Sequence, residues 1–216
     1  MNQEESNYSQ TNGKSINFKD KKTRIIAGVV LLAMICAIAI FASTNNSLAG
    51  SDIDDFKIKI NGTVYSMPDP VSKFKENGWD FEYAADAQAS VAAGDTEWVT
   101  MAYKGNDDIE IDMKVYNPSE KEVPVEQCMV YYLDIVYDED YAKQFKVELP
   151  KGVKLGITNK TTAASKYSGT SGIKEYDDEL YYSKKANSNV LEIQKNRIAL
   201  YFENDVLDEI QMICIN

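Results

Sequence analysis

The chain has 216 residues with 34 acidic and 23 basic side chains, a net charge of −11, and 44% hydrophobic residues. That charge repels phosphate backbones, so nucleic acid is not an expected partner. No histidine is present, which removes Ser-His-Asp and Cys-His nucleophile systems, histidine zinc sites and imidazole pH sensing.

Residues 1–24 are polar, with almost nothing to bury, and read as a disordered cytoplasmic tail. Ile25 to Ala42 carries no charge and no strongly polar side chain. As a helix it would rise about 27 Å, close to the ~30 Å hydrocarbon core of a bilayer, so residues 25–42 are predicted to be a transmembrane helix with the lipid bilayer as partner. Lys19, Lys21, Lys22 and Arg24 precede it, and the polar run Ser43 to Ser47 follows. Positive charge stays inside, so the expected topology is a single pass of the cell membrane, with the N-terminus cytoplasmic and the body outside. An alternative is signal-peptide cleavage near Ala49, since Ser47 and Ala49 have the small-residue spacing of a cleavage site. Both readings export the same body. Leu48-Ala49-Gly50 would suit a lipoprotein signal, but Ser51 stands where the lipidated cysteine would be.

Residues 43–55 are read as a linker. Its acids Asp52, Asp54 and Asp55 lack the glycine and the closing glutamate of a calcium loop, and no metal or other cofactor is expected. The 166 residues from Ser51 onward carry 31 acidic and 18 basic side chains, a net charge of −13. They suit one domain of ordinary size or two small units sharing a core. Phe56, Ile58 and Ile60 alternate with lysines up to Asn61-Gly62, and Thr63-Val64-Tyr65 returns, which predicts a hairpin. Asp69 as cap, Pro70 at the first position and Gly78 as stop predict a short helix burying Val71 and Phe74, with Trp79 folding back. Residues 83–95 have few large side chains and read as a loop or short helix. Strands are predicted from Trp98 to Lys104, from Ile109 to Tyr116 and from Cys128 to Val136, and Asp138-Glu139-Asp140 reads as a turn.

After Val147, Thr158 or Asn159 caps a short helix with Ala163, Ala164 and Tyr167 inside. Strands follow around Leu180 to Tyr182, around Val190 to Ile193, from Ile198 to Phe202 and from Val206 to Ile215, with Asn204-Asp205 as the last hairpin turn. The expected fold class is α+β: a single N-terminal transmembrane helix, then an antiparallel-sheet-rich extracytoplasmic body with a few short helices. The body divides into a first α+β half, 56–146, and a second, 147–216, with room for the two to be related. Cys128 and Cys214 lie in apolar strand-like runs and read as buried thiols rather than a bridge.

Two segments carry a resemblance. Ile60-Asn61-Gly62-Thr63-Val64-Tyr65 through Phe74 to Gly78-Trp79 resembles the opening of uncharacterised exported or membrane-anchored proteins of clostridia and related Gram-positive bacteria. Gly152-Val153-Lys154-Leu155-Gly156, the short helix, Tyr176 to Tyr182 and the closing strand pair resemble the helix-plus-sheet unit of the β-lactamase inhibitory protein and the outer-membrane assembly lipoproteins. Tyr167-Ser168-Gly169-Thr170 stands where those units carry a glycine-proline pair. The resemblance implies an α+β fold and supplies no catalytic residue.

No residues mark a catalytic, cofactor or metal site. The functional expectation is a membrane-anchored extracytoplasmic, non-catalytic binding module with an envelope protein as partner. Tyrosine joins an apolar ring to a polar tip, so Tyr131, Tyr132, Tyr181 and Tyr182 are the candidate interaction surface. The enzymatic alternative is a cell-wall hydrolase working through paired carboxylates.

Overall fold

Alternating apolar residues lay down the first hairpin. In the computed structural model, which describes residues 47–186 and 193–215, β1 (Lys57–Ile60) pairs antiparallel with β2 (Thr63–Ser66). Asn61 and Gly62 both take positive φ, 46° and 91°, as a tight two-residue turn requires. Ile58 and Ile60 enter the core while Lys57 and Lys59 stay outside.

Next come β3 (Asp69–Pro70) and α1 (Val71–Glu76). Pro70 occupies the N-cap position, one residue earlier than its spacing suggests, so Asp69 falls outside the helix. Its carboxylate instead accepts the Ser66 N–H at 2.8 Å and pairs with Lys73 at 2.5 Å. Val71 and Phe74 are fully buried, with Phe74 stacked on Tyr65 at 4.1 Å between ring centroids. The chain continues through β4 (Trp79–Phe81), α2 (Ala84–Ala87), β5 (Ser90–Val91), β6 (Thr96–Tyr103), β7 (Asn106–Tyr116), β8 (Val123–Pro124) and β9 (Met129–Val136). After a turn-rich segment follow β10 (Val147–Leu149), β11 (Val153–Lys154), α3 (Lys160–Tyr167), β12 (Ile173–Glu175), β13 (Glu179–Lys185), β14 (Lys195–Glu203) and β15 (Val206–Ile213). Asn159 caps α3 by accepting the Thr162 N–H at 2.8 Å.

These strands form a small sheet in the order β11-β10-β1-β2, a nine-stranded sheet in the order β12-β13-β14-β15-β9-β7-β6-β4 with β3 also on β9, and a β5-β8 ribbon. A helix followed by a four-stranded meander occurs twice: α1 before β4-β6-β7-β9, and α3 before β12-β13-β14-β15. The last strands of the two meanders, β9 and β15, pair antiparallel and make the large sheet continuous. The core lies on the inner face of that sheet, where Ile111, Met113, Leu133, Leu200, Ile210 and Met212 meet Ile58, Phe74 and Tyr167.

The expected fold class is corrected by this architecture. Among the described residues, strands dominate, the helices are four to eight residues long, and none is long and apolar enough to cross a membrane. Ile25 to Ala42, where the sequence places a spanning helix, lies outside the described residues, as do the tail 1–24 and the core of the strand read around Val190 to Ile193. Strands from both 56–146 and 147–216 are shared by the two larger sheets and one core. The stretch read as a linker gives its end to the body: Asp52 caps a 3-10 turn at Ile53–Asp55, and Ile53 is fully buried.

Candidate functional site

Tyr131, Tyr132, Tyr181 and Tyr182 do not form one exposed patch. Tyr182 faces the core, its ring 5.8 Å from Phe56. Tyr131 and Tyr132 are only 7% and 8% exposed. The register between β7 and β9 shifts between Lys114 and Val115, a bulge that puts these consecutive tyrosines in the same cluster on the outer face of the sheet. There Tyr116 meets Tyr131 edge-on at 5.9 Å and Trp98 meets Tyr132 at 5.4 Å. The Lys114 ammonium caps the Trp98 ring at 4.1 Å. Tyr181 is half-buried in a shallow depression with Arg197 and Ile213.

The outer face also carries a carboxylate pair. Gln211 Nε2 donates to Asp134 Oδ2 at 3.2 Å and to Glu209 Oε1 at 2.7 Å, and the Tyr132 hydroxyl donates to Asp134 Oδ2 at 2.8 Å. Partial burial, and then the charge of Asp134, raise the Glu209 pKa above its ordinary value. Burial alone pushes the Cys128 thiol up to about 11, and burial is the main cause that takes Cys214 to about 12, so both thiols are poor nucleophiles. Among the described residues, no group of three or more His, Cys, Asp or Glu side chains could hold a metal ion.

Apolar surface and positive charge converge elsewhere. Beyond β9 the Tyr137 N–H donates to the Asp208 carbonyl at 2.7 Å, and Phe145 packs edge-on against Trp79 at 6.0 Å. After β11 the chain turns at Gly156, whose N–H donates to the Leu207 carbonyl at 2.8 Å and whose φ is 69°. The Tyr137 ring lies directly on that glycine: a Cβ there would sit 2.0 Å from Tyr137 Cε2. Thr158 holds the same turn, its hydroxyl accepting the Lys154 N–H at 2.8 Å. On the other side, Asn61 Oδ1 accepts the Lys146 N–H at 2.9 Å and anchors the β1–β2 turn.

These segments enclose a recess of about 480 Å³, walled by Tyr137, Phe145, Val147, Leu155 and Ile157. That is a size typical of small-molecule sites, roughly 300–1,000 Å³. Ile157 stands 72% exposed beside it. Lys59, Lys146 and Lys154 line it too, with Glu148 as the only acid. Lys59, Glu148 and Lys154 are register partners across β1, β10 and β11.

Comparisons with protein-family models, curated proteins and solved structures find no match to this chain.

The sequence reading missed the recess. Its walls come from the segment after β9, from β10, from the Leu155-Gly156-Ile157 turn and from the first hairpin, and no local pattern joins them. The available signal was Gly156 between two large aliphatic residues, Leu155 and Ile157.

Proposed function

We propose that the chain is a non-catalytic binding module whose site is the recess beside Gly156. The observation that carries this reading is a preformed apolar hollow, fixed by backbone hydrogen bonds from Tyr137 and Gly156, with Ile157 exposed at its side. Burying an aliphatic side chain under a ligand contributes about 1.5–3 kcal/mol, so an exposed isoleucine beside such a hollow is a ready source of affinity.

The neutral probe N-phenyl-1-naphthylamine tests the reading on the full chain. Both tryptophans, Trp79 and Trp98, lie in the body, and Trp79 touches Phe145 of the recess wall. Excitation at tryptophan should therefore give probe emission by energy transfer. Ile157→Asp should reduce that sensitised emission at least about fivefold while leaving the circular dichroism unchanged, because burying a charge against the probe is unfavourable. Equal emission from the variant would refute the site.

A further inference from the structure

We infer that the ligand of this recess is an amphipathic organic anion, its apolar tail held against Tyr137, Phe145 and Leu155 and its charged head by Lys59, Lys146 and Lys154. The inference rests on the reading of the recess as a binding site and adds the chemical class of what it takes.

The body has a net charge of −13, and some of its lysines pair with carboxylates. Lys73 pairs with Asp69, Lys75 with Glu126, Lys151 with Asp52 and Lys160 with Glu175. At the recess the balance inverts, with three lysines against one acid. Among the described residues, the ammonium groups of Lys59, Lys146 and Lys154 make no ion pair or hydrogen bond. Glu148 stands between Lys59 and Lys154 in register, yet pairs with neither. A Cβ on Gly152 would lie 3.7 Å from Glu148 Oε1 and 3.5 Å from Lys166 Nζ, which places the Glu148 carboxylate towards Gly152 and the end of α3. Three cations are thus gathered at an apolar hollow on an acidic protein, and among the described residues none of them is paired with the one acid that lines it, Glu148. An external carboxylate or phosphate on an aliphatic tail satisfies both features.

The test is displacement of N-phenyl-1-naphthylamine from the full chain by four amphiphiles of equal tail length, each below its micelle concentration. They are dodecanoate, dodecyl phosphate, dodecanol and dodecyltrimethylammonium. At least one anion should displace the probe about tenfold more effectively than the alcohol and the cation, three partly exposed ion pairs each contributing a factor of roughly two. Whichever anion leads identifies the head group. The preference should shrink in high salt and vanish in the triple variant Lys59→Gln, Lys146→Gln, Lys154→Gln. Equal displacement by all four would overturn the anion inference and leave the recess as a binding site. Displacement by none would overturn the anion inference, and if Ile157→Asp also kept its probe emission the recess would fall as a binding site with it.

Discussion

Gly156 shows how one residue can set the shape of a site. Its φ of 69° lies in the left-handed region, and the Tyr137 ring occupies the space a side chain would need. Alanine there meets both penalties. The left-handed backbone costs an L-residue about 1–2 kcal/mol, and moving the tyrosine adds overpacking, for a total of about 2–4 kcal/mol. Gly62 is the control: its φ is 91°, but a Cβ would meet nothing within 4 Å. Gly62→Ala should therefore lose only the backbone part. Urea midpoints of the two variants measure the difference. Gly156→Ala should also weaken probe binding, since Tyr137 forms a wall of the recess. A Gly62→Ala loss as large as that of Gly156→Ala would mean that the ring contact contributes nothing.

At the level of strands, the pairing of β9 with β15 joins the two meanders and carries a strained electrostatic arrangement on its outer face. Glu209 and Asp134 share the Gln211 amide, and Glu209 has a raised pKa because burial, and then Asp134, oppose its charge. A carboxyl group with a raised folded-state pKa binds more protons folded than unfolded, so stability falls as pH rises from its ordinary value of 4.5 through the raised one. Above that window the pairing bears the full cost. Glu209→Gln should therefore be more stable than the parent at neutral pH and should lose that advantage as the pH drops below the window. The gain should be under about 1 kcal/mol, because water screens a partly exposed pair. Thermal melts of both proteins across pH 4 to 8 read the sign. The strands themselves were legible wherever alternation was strict, as in β7, β14 and β15. The bulge was not, because it depends on which residue of β7 faces which residue of β9. That one slip sets Tyr131 beside Tyr132 on the outer face, where the Tyr116 and Trp98 rings pack against them. The recess was illegible for a similar reason: it forms where four separate segments converge, and each segment alone reads as an ordinary turn or edge.

For the molecule as a whole, continuity of the large sheet has a consequence for how the body opens. Cys128 immediately precedes β9, the last strand of the first meander, with its carbonyl accepting the Val71 N–H of α1 at 3.1 Å. Cys214 follows the last strand of the second, with its N–H bonded to the Tyr131 carbonyl at 2.9 Å. Both are at most 2% exposed and belong to one hydrophobic core. Two meanders with separate cores would let one thiol react while the other stayed protected. A single core ties both to the same opening event. Thiol labelling under native conditions, quantified at each cysteine by mass spectrometry, should give matching rates at positions 128 and 214. Each should be at least about 10³-fold slower than in the unfolded chain, as expected for a body stable by 5 kcal/mol or more. Adding urea should accelerate both with one slope, that of global unfolding. A tenfold difference between the two rates would show that the meanders open independently and that the β9–β15 pairing does not make them one cooperative unit.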